Sequence, residues 1–197
     1  MIEFLENIDR KLFLLINGCH SDEADFFFYW VSYKFTWIPF YLLLLILAIK
    51  VLKNKWWLLL IFIPLMVTAT DQISVQLFKN IFLRYRPCQN LELKDYVHLV
   101  NGYCGGKYGF ISSHAANSFG LATFMWLLLR RNFKYWFWIL FVGFAGLIAY
   151  SRVYLGAHYP ADVAVGALLG ITIGAALYWL MQRIFLREKK SELLAAE

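Results

Sequence analysis

Three short clusters hold the side chains with chemistry to offer. Six residues separate Lys79 from Arg86-Pro87, Ser112-Ser113-His114 comes next, and Ser151-Arg152 is followed by His158 and Asp162. Lys79, Arg86 and Arg152 bring positive charge, and the two arginines add a planar fork of donors that matches the oxygens of a phosphoryl group. The two histidines supply what a cation clamp lacks, one imidazole to attack and another to give up a proton near neutral pH. His158 precedes Asp162 by four residues with Pro160 between them. A helix opened by Pro160 therefore sets the carboxylate beneath the ring, fixing its tautomer and leaving one nitrogen free to attack phosphorus. Ser112 and Ser113 lead into His114 at the expected start of another helix, where unpaired amides receive anionic oxygens. Alone, each histidine reads as a headgroup contact or a structural bridge. In combination with the cations they read as phosphoryl-transfer chemistry.

The elements that must carry these clusters are apolar. Hydrophobic residues make up 61% of the 197 and charged residues only 16%, and the mean hydropathy is +0.56. Runs such as 37–49, 56–69 and 135–149 are nearly free of charge, which excludes an ordinary soluble domain. Blocks at 25–49, 56–82, 114–129, 135–150 and 161–181 predict five membrane crossings. Residues 2–16 alternate polar and apolar side chains at helical spacing and predict an interfacial helix, with a sixth, irregular crossing as the alternative, rather than a cleavable leader. The expected fold is thus an all-α transmembrane bundle with six helices in all, in one domain over 1–197, with a frayed charged tail at 188–197.

Charge in the turns sets orientation. Lys50, Lys53 and Lys55, then Arg130, Arg131 and Lys134, then Arg183, Arg187, Lys189 and Lys190 all fall on one side of a five-span arrangement, which is the cytoplasmic side by the positive-inside rule. The three clusters fall on the other side, facing the periplasm or the exterior. The net charge of +6 belongs to that basic inner edge and gives no support to a nucleic-acid partner. Cys88 and Cys104 both lie in the outward connection, where an oxidising compartment permits a bridge, and Cys19 is left free.

Lys79-x6-Arg86-Pro87, Ser112-Ser113-His114 and Ser151-Arg152-x5-His158-x3-Asp162 together resemble the three signature motifs of the type 2 phosphatidic acid phosphatase (PAP2) superfamily, on its bacterial membrane lipid phosphatase branch. The first and third motifs match in full. The middle one departs, with Ile111 and Ser113 where the family has proline and glycine. The resemblance implies that Lys79, Arg86, Ser112 and Arg152 bind phosphate, with the Ser113 amide beside them. It makes His158 the nucleophile of a phosphohistidine intermediate, Asp162 its orienting partner and His114 the acid for the leaving group. It implies no metal, no cofactor and no obligatory protein partner, only a membrane lipid with a phosphate or diphosphate headgroup. Undecaprenyl diphosphate is the expected substrate of a compact bacterial member, with phosphatidylglycerophosphate, phosphatidic acid and lipid A as alternatives. A non-hydrolytic lipid-phosphate binding or transport protein is the reading from another class.

Four polar residues near the clusters are less determined. Arg84 reads as a cation reaching to lipid headgroups. Asp71, inside the second apolar block, reads as one half of a buried polar pair that holds the bundle together. Asn117 either positions His114 or bonds between helices, and Lys34 stays ambiguous. The aromatic groups at 26–30 and 135–138 read as interface belts.

Overall fold

The computed structural model describes residues 2–102 and 104–186. Among them the chain is helical, and the sole extended pairing is an isolated bridge between Tyr85 and Tyr108. Six helical segments follow the expected order, and the second is broken into two. They are α1 (Ile2–Gly18), the pair α2 (Asp22–Ser32) and α3 (Ile38–Leu52), α4 (Leu59–Ile73), α5 (Ser113–Leu129), α6 (Trp138–Tyr154) and α7 (Pro160–Met181).

The break corrects the expected first span. Tyr33 is extended, with φ −80° and ψ 119°, and the Trp37 indole N–H donates to the Val31 carbonyl at 2.8 Å, satisfying an acceptor that a continuing helix would have used. Pro39 then sits in the first turn of α3, where its missing N–H costs nothing. From there α3 runs away from the site end. Lys53, at φ +50°, turns the chain, and α4 climbs back and continues through a π-helical turn, Ser74–Lys79, to Phe82. Lys79 leaves that widened turn next to α5.

The closest helix pair, α5 with α7, fixes the site. Gly166, Gly170 and Gly174 lie one turn apart on α7, and their bare backbones rest on the carbonyl oxygens of Ser112, Ala116 and Gly120. A Cβ at Gly166 would stand 2.6 Å from the Ser112 oxygen, and Cβ atoms at the other two would be closer still to theirs. This small-residue seam is the device by which helices approach closely where lipid gives no hydrophobic drive. It brings the first turn of α5 against the first turn of α7, and the Ser112 N–H donates to the Asp162 carbonyl at 2.9 Å.

The outer surface is apolar. Leu42, Leu43, Ile46, Leu60, Ile61, Ile139 and Leu168 are all exposed, which is the surface of a protein solvated by lipid tails. Among the described residues two helical stretches, Lys34–Phe82 and Pro160–Leu186, are long and apolar enough to cross a membrane, and Trp138–Tyr154 is a shorter apolar helix. Lys55 bonds the Phe185 carbonyl, and the Arg130 guanidinium stands 6.0 Å from the centre of the Trp179 ring. The basic turns therefore gather at one end, opposite Lys79 and Ser113. Arg187, Lys189, Lys190 and the expected tail at 188–197 lie outside the described residues.

At the other end, α1 buries Asp9, Phe13 and Asn17. Asn17 donates to the carbonyls of Tyr154 at 2.7 Å and His98 at 2.9 Å. Its polar stripe, expected to face water, here supplies protein contacts, while Phe4, Leu5, Leu12 and Leu15 stay exposed. The connection from α4 to α5 is closed by a Cys88–Cys104 disulfide with Cα atoms 5.9 Å apart, and Cys19 is free and exposed.

Candidate active site

Each element end delivers its side chain by a local rule. Pro160 opens α7, and Asp162, in its first turn, accepts the Tyr159 N–H at 3.0 Å. Such a cap fixes a carboxylate at the positive end of the helix. His158 stands just before it, in the loop between α6 and α7. Ser112 caps α5 by accepting the Ala115 N–H at 3.4 Å, so Ser113 and His114 occupy the first helical positions, where N–H groups lack an intrahelical acceptor. Arg152 lies inside the last turn of α6, which extends to Tyr154 rather than ending at residue 150.

The structure brings the predicted residues together. The Arg86 Nη1 donates to the Ala157 carbonyl at 2.9 Å and meets His158 Nε2 at 3.0 Å. A guanidinium has no acceptor to offer, so this contact makes Nε2 the lone-pair nitrogen and leaves the proton on Nδ1. His158 Nδ1 in turn stands 3.6 Å from Asp162 Oδ2, beyond hydrogen-bonding distance but on the side the sequence reading assigned to the carboxylate. Lys79 Nζ donates to Ser113 Oγ at 2.9 Å, and Arg152 bonds the Ser32 hydroxyl. Arg86, Arg152, His158, Ser112 and Asp162 are all buried, Asp162 completely. Burial, and after it the charges of Arg86, Arg152 and Lys79, hold the His158 imidazole well below its ordinary range, so it stays neutral at pH 7. His114 is exposed and faces a cavity of about 730 Å³.

Arg84 corrects the sequence reading. Instead of reaching to headgroups, its guanidinium donates to Asp162 Oδ1 at 2.6 Å and to Asp9 Oδ2 at 2.7 Å, and it lies 4.2 Å from the centre of the Tyr159 ring. Asp9 Oδ1 also accepts the Ala161 N–H at 2.8 Å. The carboxylate behind His158 is thus held from both sides, by its own helix terminus and by a cation locked to α1. Gly109 makes room for this arrangement, since a Cβ there would stand 3.0 Å from Arg86 Cγ and 3.3 Å from Asp162 Oδ2. The sequence gives no sign that Arg84, Asp9 and Ser32 join the site, because nothing in their neighbourhoods announces a partner far away in the chain. Asn117 donates to Asp71 Oδ1 at 3.1 Å and meets the Thr70 hydroxyl, so of the two roles open to it in the sequence the interhelical hydrogen bond is present.

The PAP2 superfamily profile matches residues 56–186, which include every motif residue. The chain belongs to the PAP2 superfamily. It is 39% identical over 193 residues to the lipid A 4'-phosphatase of Bacteroides thetaiotaomicron, covering 95% of this chain and 83% of that protein. It is 36% identical over 179 residues to the lipid A 4'-phosphatase of Porphyromonas gingivalis, covering 90% and 74%. The crystal structure of Aquifex aeolicus LpxE superposes with a TM-score of 0.61 at 29% identity, covering 85% of this chain and 92% of that one. This PAP2 protein is therefore a membrane lipid phosphatase, a hydrolase that acts on a lipid carrying a phosphate.

Proposed function

We propose that the protein hydrolyses a phosphate ester of lipid A or a closely similar glycolipid, rather than the undecaprenyl diphosphate that sequence reading placed first. The observation that supports it is the similarity to lipid A 4'-phosphatases along almost the whole chain, 95% of it in one case. Similarity of that extent takes in the helices around the site as well as the motifs.

In the proposed reaction Lys79, Arg86, Arg152 and the first amides of α5 hold the phosphate. The Nε2 lone pair of His158 forms the P–N bond as the ester P–O bond breaks, and His114 gives its proton to the departing oxygen. Asp162 stabilises the positive charge that the His158 ring acquires, and Arg84 and the α7 terminus hold that carboxylate in place. His114 then takes a proton from water, whose oxygen attacks phosphorus and breaks the P–N bond. Orthophosphate leaves and both rings return to their starting states. The bundle crosses the bacterial cytoplasmic membrane five times, with the basic end inside, so the site opens to the periplasmic or external side.

The test is phosphate release from lipid A, undecaprenyl diphosphate, phosphatidylglycerophosphate and phosphatidic acid by purified protein, with His158→Ala alongside. Release from lipid A should be fastest and should fall by at least about 10⁴-fold in the variant, in line with loss of a covalent nucleophile. Preference for another lipid would replace the substrate and keep the chemistry. Lipid binding with no His158-dependent release from any of them would mean a binding or transport protein.

A further inference from the structure

The phosphate clamp accounts for one side of His114, and the cavity lies on the other. Its walls are largely the apolar faces of α3, α4 and α5, among them Leu44, Ile63 and Leu121, but Asp71 and Asn117 interrupt them. Asn117 lies one turn beyond His114 on α5, a rise of about 4.5 Å for three residues, and its side chain ties Asp71 to the same level through the 3.1 Å bond to Oδ1. The Thr70 hydroxyl also stands in hydrogen-bonding contact with the Asn117 side chain. Asp71 Oδ2 has no hydrogen-bond partner among the described residues. Asp71 lines the cavity near the proton donor and within the field of Lys79, and a carboxylate in a cavity with largely apolar walls is costly unless something bonds it.

We propose that this cavity is the leaving-group pocket and that Asp71, set by Asn117, reads hydroxyl groups of a saccharide there. The site then takes phosphate esters of acylated sugars in preference to prenyl diphosphates. The proposal rests on the phosphatase reading, since it makes His114 the donor to the departing oxygen and so places the rest of the substrate on the His114 side. A sugar presents hydroxyl donors to Asp71 within reach of the ester oxygen, and its acyl chains suit the apolar walls beyond. A prenyl diphosphate instead leaves as an anionic phosphate monoester, which would meet the Asp71 carboxylate as a like charge, while Lys79, the cation acting on Asp71, is engaged by the bound phosphate. Lys34 also lines the cavity and would favour an anion, but it is exposed and stands over the Phe35 ring at 5.0 Å. Asp71, tied to the turn that follows His114, faces the leaving group directly.

The experiment separates binding in this pocket from turnover. Purified full-length protein in detergent is titrated with N-(bromododecanoyl)glucosamine and with bromododecanol, and binding is read by quenching of the tryptophan signal lost in Trp37→Phe, because Trp37 lines the same cavity. The expected result is sugar binding about tenfold tighter than alcohol binding, the effect of a hydrogen bond to a charged acceptor. Asp71→Asn should reduce that preference and Asp71→Leu abolish it, with bromododecanol binding unchanged as the sign of an intact fold. Equal binding of the two probes by the parent protein overturns the proposal. So does a preference that survives Asp71→Leu, or one that shifts with Lys34→Met instead, or a loss of both probes together. His158-dependent phosphate release is measured on the same samples. If release is absent while the Asp71-dependent sugar preference is present, the phosphatase reading falls and the subsite stands.

Discussion

The two flanks of α5 are built on opposite principles. Toward α7 the contact is backbone on backbone, with Gly166, Gly170 and Gly174 set against the carbonyls of Ser112, Ala116 and Gly120. Toward α3 and α4 the same helix borders an open cavity of about 730 Å³. The closed flank positions charge: it sets Asp162, His158 and the first turn of α5 within a few ångströms, where a small displacement spoils in-line attack. The open flank accommodates bulk, and methylene-rich ligands tolerate loose walls. On the proposed reading, one helix thus holds a rigid phosphate site and an adaptable tail site, with His114 at the boundary.

The sharpest way to break this contrast is to put a side chain into the seam. Gly170→Val places its Cβ against the Ala116 carbonyl, a backbone atom that cannot swing aside. The expected cost is about 3 kcal/mol or more, as for severe overpacking, seen as a lower melting temperature together with loss of phosphate release. Should the variant melt and turn over like the parent, the seam is not what positions the site.

Arg84 tests the closed flank at its polar end. Arg84→Met leaves Lys79, Arg86 and Arg152 in place but removes the donor to Asp162 Oδ1 and the link to Asp9. The expected outcome is a fall of about 100-fold in kcat with KM within a few-fold, comparable to loss of an outer partner that orients an active-site group. Arg84→Lys should restore part of it by keeping the charge. A KM effect without a kcat effect would make Arg84 a headgroup contact, as the sequence alone suggested.

The legible part of this molecule was local. His158, Pro160 and Asp162 announce themselves because a proline-opened helix and an i,i+4 pair are short-range devices, and the apolar blocks give helix order because each is a run nearly free of charge that polar turns separate from the next. Arg84 was illegible because its partners lie 75 and 78 residues away. The break at Tyr33 was hidden inside a continuous apolar run, in which the hydropathy that marks a span says nothing of its backbone. A cavity between helices is an absence of atoms and leaves no pattern in any one of them.

Stability should depend on pH through the buried His158 imidazole. The folded protein holds His158 neutral well below its ordinary range, whereas the unfolded chain protonates it near pH 6.5. The unfolded state therefore binds the extra proton as pH drops below about 6.5, and folding weakens by up to about 1.4 kcal/mol per pH unit from this group. Thermal melting followed from pH 7.5 down to 5 should show that decline, and His158→Gln, which cannot take up the proton, should show a shallower one. Identical slopes would mean that the ring is not held neutral, and with it would go the lone pair on Nε2.

The smallest effect belongs to the open flank. Leu121 lines the cavity from α5, on the side away from the glycine seam. Leu121→Trp fills part of the cavity proposed to hold the leaving group, two turns along α5 from His114. If the cavity holds lipid chains, KM for long-chain substrates should rise by roughly fivefold to tenfold while kcat stays near that of the parent, because lost methylene contacts weaken ground state and transition state alike. Short-chain substrates should be affected less, so the measurement is KM against chain length. A kcat loss independent of chain length would instead mean that packing in the cavity wall reaches the phosphate site. The two flanks of α5 would then be one rigid unit rather than two with separate duties.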